Sequence, residues 1–330
     1  DVNSRHVVTI EEGLERAGFT LTTKTWLDAY DAVRERAHTD FIAGIKARAR
    51  AAGVPAIIYG MGAVMPEPEH DLPLDAEGVG DEPAAVYVLA RISGEGSDRR
   101  PERGDVLLTD AEVRDILALN ERYERFLLVL NVGGVVDLTP VKDVRNILLL
   151  SQLGAATGDS FADVLLGASY PSGRLATTWA AWEDYSTVGD FGDPDDTHYR
   201  EGVYVGYRYF DSTGTAPLFP FGFGLGYTGF ELGEPAVDLD GSRASVRVRV
   251  TNTGGRAGRE VVQVYVSVPP GGLDQPYQAL AGFGKTDELA PGEHQDVTVS
   301  FDLADLASYD EARAATVLEA GDYVVRVGAS

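Results

Sequence analysis

The sequence predicts an α/β domain followed by an all-β domain, and three observations carry that expectation. Up to about residue 180, stretches of helical periodicity alternate with short continuous apolar runs. From about residue 231 the pattern turns to short alternating strands separated by Gly and Pro turns. Between them, over roughly 183–230, Asp, Gly, Pro and aromatic residues dominate. A chain of 330 residues with a hydrophobic fraction of 44% is long and apolar enough for two cores of ordinary globular composition.

Helices are predicted over Val7–Ala17, closed by Gly18, and over Asp28–Ala52, closed by Gly53. Pro66, Pro68, Pro73 and Pro83 mark residues 61–83 as loop. Ala84–Ile92 is a continuous apolar run that suits a strand buried on both faces. Thr109, with Glu112 three positions on, forms a capping box that opens a helix running to about Tyr123. Arg125–Asn131 and Asn146–Ser151 read as further buried strands, and Phe161–Leu166 as a helix. Strands alternating with helices imply a mostly parallel sheet covered on both faces.

Tyr199–Asp211 (YREGVYVGYRYFD) alternates as a strand or extended arm. Pro217–Thr228 (PLFPFGFGLGYT) is too rich in glycine for a regular element and reads as an aromatic-anchored connector. Beyond it, Val246, Val248 and Val250 share one face of a strand whose other face carries Arg247 and Arg249. Further strands fit Glu260–Val268, Ala279–Thr286, Gln295–Phe301 and Tyr323–Val327. About seven short strands in roughly 100 residues has the rhythm of an immunoglobulin-like or fibronectin-like sandwich.

The charge balance excludes several function classes. With 28 basic and 52 acidic side chains the net charge is −24, which repels a phosphate backbone and an anionic membrane surface but not a neutral ligand such as a sugar. There is no Cys, so disulfides, thiolate nucleophiles and Cys-based metal sites are impossible. His6, His38, His70, His198 and His294 have no metal-ligand spacing, and neither a GxSxG elbow nor a phosphate-cradling loop is present. No cofactor and no metal are therefore expected. The longest apolar runs, Phe126–Leu130 and Ile147–Leu150, are too short to cross a bilayer. Asp1-Val2-Asn3 reads as the middle of a motif, so the chain is expected to be a piece of something longer; a cytoplasmic location is the expectation.

The segment that best suits chemistry is Ser93-Gly94-Glu95-Gly96-Ser97-Asp98-Arg99. It follows the strand Ala84–Ile92, at the carboxyl end, where open α/β sheets bind ligands. Glycines on both sides of Glu95 permit tight conformations that project one side chain. Such a carboxyl suits an acid, a base or a metal ligand, although no companion ligands accompany it. On local sequence alone a solvated surface glutamate is the commoner case. Tyr204, Tyr207 and Tyr209 have the flat rings that stack on pyranose faces, yet aromatic residues alternating along a strand more often pack internally. Glu201 beside them is read as structural, and Met65–Glu69 (MPEPE) as a proline-stiffened, solvated acidic loop.

RISGEGSDRRPERGDVLLTD resembles the acid/base loop of family 3 glycoside hydrolases of the β-glucosidase type. DLTPVKDVRNILLLSQLG, ADVLLGASYPSGRLATTW, YREGVYVGYRYFD, PLFPFGFGLGYT and VTNTGGRAGREVVQVYV resemble that family's sandwich and fibronectin-like domains, in family order. The resemblance covers nearly the whole chain. It implies an (α/β)6-type sandwich over 1–215, N-terminally incomplete, a connector over 216–230, and a fibronectin type III-like β-sandwich over 231–330. It further implies part of a retaining, exo-acting β-glycosidase, β-glucosidase foremost, acting on β-linked oligosaccharides or aryl glycosides. Glu95 matches the glutamate that protonates the leaving oxygen and then activates water. Arg99 is a candidate for binding substrate on the aglycone side, although an Arg99–Asp98 pair shaping the turn is the commoner role in such a loop.

In that family the nucleophilic Asp sits on a (β/α)8 barrel, which these residues do not include. A barrel is therefore the expected partner, supplied by the same precursor or another chain. The phrases QLG, THYREGVYVGYRYFD and LEAGDYVVRVG resemble relatives in which the barrel follows these domains. The rival reading is a non-catalytic fragment that binds carbohydrate or docks a partner.

Overall fold

The computed structural model describes residues 6–74, 82–92, 99–185, 196 and 198–329. The chain divides into two compact units, Asp1–Leu166 and Gly167–Ser330.

The first unit contains helices α1 (Ile10–Arg16), α2 (Lys24–Ala52) and the short α3 (Ala56–Tyr59), then β1 (Ala85–Arg91), α4 (Asp110–Arg122), β2 (Phe126–Val132), β3 (Ile147–Leu149) and α5 (Thr157–Leu165). Among the described residues its strands form a parallel sheet in the order β1-β2-β3. The parallel pairing agrees with the alternating sequence pattern. Central β2 has Phe126, Leu128, Val129, Leu130 and Val132 all buried. Val129 packs with Leu14 of α1, Phe161 of α5 and Leu150, while α4 lies on β1 and β2 with Ile116 and Leu119 buried. α1 and α5 meet so closely that a Cβ on Gly158 would stand 1.9 Å from the Thr9 carbonyl oxygen, which requires glycine there.

β1 corrects one expectation. Among the described residues it is an edge strand rather than one buried on both faces: Leu89 and Arg91 are buried, but Val88 is 37% exposed. An apolar run cannot distinguish an edge from a centre, because the neighbour that would cover it is remote in sequence. The capping box at α4 forms as expected. Thr109 Oγ1 accepts from the Glu112 amide at 3.0 Å, and Glu112 Oε2 accepts from the Thr109 amide at 2.8 Å.

The second unit begins with an aromatic segment that includes α6 (Tyr207–Thr213). Here the expected strand or arm over 199–211 is instead turn and helix among its described residues. Gly206, at φ 61°, starts the helix. Tyr207 and Phe210, three residues apart, share its inner face: Tyr207 stacks on Phe221 at 4.6 Å, and Phe210 meets Tyr185 at 5.6 Å. Alternating tyrosines had concealed that spacing of three. The connector is anchored by aromatic residues, with Phe219 and Trp179 exchanging backbone hydrogen bonds of 2.8 and 3.0 Å. Its Gly222, at φ 80°, lies where a Cβ would be 2.0 Å from Gln263 Oε1.

The remaining strands are β4 (Phe230–Leu232), β5 (Ala236–Asp240), β6 (Arg243–Asn252), β7 (Val261–Ser267), β8 (Ala279–Lys285), β9 (His294–Asp302), β10 (Ser308–Asp310), β11 (Ala315–Val317) and β12 (Val324–Gly328). One sheet has β4 and β5 along one edge of β6 and β9 along the other; a second has the order β12-β7-β8; β10 and β11 form a hairpin. Ala244, Val246, Val248 and Val250 of β6 pack with Val262, Val264 and Val266 of β7 and with Val297, Val299 and Phe301 of β9. Arg249 faces outward and pairs across the ladder with Asp296 at 2.8 Å. β5 is exposed at every residue, Val237 and Leu239 included, although its sequence alternates apolar and acidic residues.

Candidate active site

The loop singled out by the sequence leaves the carboxyl end of β1. Glu95 and Asp98 lie outside the described residues, as does the Asp1–Asn3 motif fragment. What the structure describes is the pair of stems on either side, Arg91-Ile92 and Arg99-Arg100, and the groups that hold them.

Arg91, the last residue of β1, is 5% exposed. Its guanidinium forms a two-pronged pair with Glu112, Nη1 to Oε1 at 2.8 Å and Nη2 to Oε2 at 2.7 Å. Its Nε donates to the Asp105 carbonyl at 2.8 Å, and Nη1 also donates to the Ala90 carbonyl at 2.8 Å. Burial works against the charge, but the hydrogen bonds and charge of Glu112 outweigh it, so Arg91 is held above the usual arginine range. Glu112 thus serves two masters: it closes the capping box of α4 and neutralises the end of β1.

The other stem is held by the same stretch of chain. The Asp105 carboxylate accepts from Arg99 Nε through Oδ1 and from the Arg100 amide at 2.8 Å through Oδ2. Arg99 and Asp105 form an ion pair in which both side chains are mostly covered. Behind Asp105 the chain is pinned: the Val106 amide donates to the Arg100 carbonyl at 3.2 Å, and the Val106 carbonyl accepts from the Asp137 amide at 2.8 Å.

The MPEPE segment is not the solvated loop its composition suggested. The Glu67 amide donates to the Gly104 carbonyl at 2.8 Å, and a Cβ on Gly104 (φ 82°) would stand 2.2 Å from the Glu67 carbonyl oxygen. The Glu67 side chain, 11% exposed, accepts from the Tyr30 hydroxyl and pairs with Arg34 at 3.1 Å. Glu69 accepts from the amides of Asp110 and Ala111 at 2.8 and 3.0 Å, so the open N-terminus of α4 recruits it. Helix amides hold the Glu69 carboxylate, and Tyr30 with Arg34 holds that of Glu67.

A second polar group lies under β1. His70 Nε2 and Asp115 Oδ2 are 3.6 Å apart and both side chains are buried; Trp26 and Tyr30 meet the His70 ring edgewise. Desolvation, and then the charges of Glu112 and Asp115, push the Tyr87 hydroxyl well above its ordinary pKa.

The candidate stacking tyrosines belong to the second unit. Tyr207 accepts from the Leu280 amide at 2.7 Å and packs on Phe221; Tyr204 donates to Asp274; Tyr209 meets Phe210 at 5.4 Å. Tyr207 and Tyr209 pack on aromatic rings, and Tyr204 is tied by hydrogen bonds. Asp105 and Arg91 are the residues that sequence reasoning missed, together with the pairing of the capping Glu112 to Arg91. Their one local signal is an arginine ending an apolar strand, a position that otherwise strands a charge in the core. Among the described residues no group of three or more His, Cys, Asp and Glu could hold a metal, and no helix is long and apolar enough to cross a membrane.

An α/β unit with a parallel sheet, followed by a fibronectin-like sandwich, is the arrangement that comparison with known proteins returns. Residues 5–227 match the glycosyl hydrolase family 3 C-terminal domain, and residues 260–330 match the fibronectin type III-like domain. The chain belongs to glycosyl hydrolase family 3. It is 38% identical to beta-glucosidase A of Butyrivibrio fibrisolvens over 309 residues, covering 79% of this chain and 37% of that protein. It is 36% identical to an exo-alpha-(1->6)-L-arabinopyranosidase of Bifidobacterium breve over 211 residues, 63% of this chain and 28% of that protein. A solved structure of beta-glucosidase 3B from Thermotoga neapolitana in complex with glucose superposes with a TM-score of 0.80 at 35% identity, over 100% of this chain and 46% of that one. The chain spans about a third of the length of the curated relatives it matches.

Proposed function

We propose that this chain supplies the general acid/base of a retaining, exo-acting β-glycosidase, β-glucosidase foremost, whose nucleophilic aspartate sits on a (β/α)8 barrel outside these residues. The observation that carries the reading is the family match over 5–227, in a chain where Arg91, Asp105 and Glu112 hold the residues flanking the Glu95 segment. Glu95 is the proposed acid/base, and Arg99, with its Nε committed to Asp105, the proposed contact on the aglycone side.

In the first step the nucleophile's carboxylate oxygen bonds to the anomeric carbon as the glycosidic C–O bond breaks, and the Glu95 proton passes to the departing oxygen. In the second, water gives a proton to the Glu95 carboxylate, its oxygen bonds to the anomeric carbon, and the nucleophile leaves. Both require the two carboxyl groups about 5–5.5 Å apart across the bond. The substrates proposed are β-linked oligosaccharides and aryl β-glucosides. The names of the relatives, one acting on an arabinopyranoside, support a shared acid/base half serving different terminal sugars.

The proposed domains are 1–215, 216–230 and 231–330, with the family matches at 5–227 and 260–330 in support. The cytoplasm is the proposed compartment. The test of function is Glu95→Ala in the full-length protein. kcat/KM should fall about 10²–10⁴-fold on cellobiose, whose leaving group needs a proton, and far less on 2,4-dinitrophenyl β-glucoside, whose leaving group does not. Equal losses on both substrates would reject the assignment. Sugar binding with no turnover in the unaltered full-length protein would favour a binding fragment.

A further inference from the structure

We propose that the exposed apolar face at residues 54–61 of the first unit is a docking surface for the (β/α)8 barrel of the full-length protein; this rests on the part of the proposed function that places a barrel outside these residues. Between Arg50 and Glu67 no residue is charged, in a chain whose charged fraction is 24%. The stretch contains α3, which buries none of its residues. Ile57 is 81% exposed and Met61 73%, and Val54, Ile58 and Tyr59 beside them face water too. Single apolar side chains on a surface need no explanation, but several together make the kind of patch that marks an interaction site. Its composition, with Tyr, Met and Ile and no charge, is that of the centre of an interface.

The patch is held in shape by its own backbone. The Val54 amide donates to the Ala49 carbonyl of α2 at 3.0 Å, and the Pro55 carbonyl accepts from the Ile58 and Tyr59 amides at 3.0 Å each. Gly60 lies against α2, where a Cβ would stand 3.0 Å from Ile45 Cγ2. The apolar side chains are thus presented outward on a fixed frame.

Three observations select the occupant. A net charge of −24 opposes self-association and contact with an anionic membrane. The chain spans about a third of the length of its curated relatives, so those proteins carry a larger body outside the part matched here. The patch also adjoins the side of this unit proposed to meet substrate: Arg100, next to Arg99, donates from Nη2 to the Val64 carbonyl at 3.3 Å. A body that holds the sugar near Arg99 therefore stands beside this face, and Arg100 gives the apolar centre a charged edge.

The experiment is photocrosslinking in the full-length protein. Ile57→p-benzoylphenylalanine and, separately, Met61→p-benzoylphenylalanine are irradiated, and the crosslinked peptides are mapped by mass spectrometry. Both side chains face out of this unit, so neither change disturbs its core. From each position the expected product is a crosslink within one chain, to a barrel peptide outside the 330 residues, with a yield that dilution leaves unchanged. Crosslinks between two chains, with a yield that falls on dilution, would show that a second copy covers the face and would overturn the proposal. So would the absence of any crosslink, or crosslinks confined to residues 1–330. A full-length protein without a barrel would remove the reading on which this rests and the inference with it. A barrel that is present but not crosslinked removes this inference alone.

Discussion

The two units of the chain solve opposite problems. Between its sheets the buried cluster of the sandwich is made of Val, Ala, Leu and Phe, its Arg249–Asp296 pair stays in water, and its Arg174–Glu260 pair is covered less completely than the first unit's. At the end of β1, by contrast, the α/β unit buries Arg91 and Glu112 almost completely and places His70 and Asp115 behind them. Apolar packing tolerates approximate geometry, whereas a buried charge is held only by a partner in the right place. The difference teaches where the more deeply buried ion pair lies: in the unit that carries the loop.

Three substitutions sharpen or break that contrast. Arg91→Ala leaves the Glu112 carboxylate buried and unpaired, and should destabilise the protein by about 3–5 kcal/mol in urea unfolding. Val264→Ala, in the most buried part of the sandwich, removes two methyl-sized groups and should cost about 2 kcal/mol. A larger loss at Val264 than at Arg91 would break the comparison. The smallest effect concerns pH. The Tyr87 hydroxyl is held neutral in the folded chain well above the ordinary tyrosine pKa of about 10. The unfolded state therefore releases a proton first as the pH rises. Stability from this group is complete below about pH 10 and declines above it, by about 1.4 kcal/mol per pH unit until the folded hydroxyl also ionises. Tyr87→Phe should flatten that part of the alkaline unfolding profile; an unchanged slope would show that Tyr87 titrates freely.

The sequence foretold what depends on near neighbours. Thr109 and Glu112 lie within one helical turn, so the capping box could be read directly, and Val246, Val248 and Val250 announced the inner face of β6 by alternation alone. It misled where the deciding partner is remote. The exposure of Val88 depends on what lies beside β1, and Glu69 caps a helix that begins 41 residues further on. α6 was hidden because its tyrosines alternate while only Tyr207 and Phe210 determine its inward face. Gly94-Glu95-Gly96 is chemically indistinguishable from a solvated turn, and the surrounding family pattern, not the local residues, singled out Glu95. The brace on Asp105 joins residues 91, 99 and 100 across an interval that no periodicity reports.

The central claim is that Glu95 transfers the proton in both steps, and azide tests it most directly. In the full-length Glu95→Ala variant, 2,4-dinitrophenyl β-glucoside should still glycosylate the enzyme, after which hydrolysis stalls for want of a base. Azide, a nucleophile that needs no base, should then raise kcat by at least about 10-fold and yield β-glucosyl azide as the product. Turnover that azide leaves unchanged, with glucose as the sole product, would contradict the assignment.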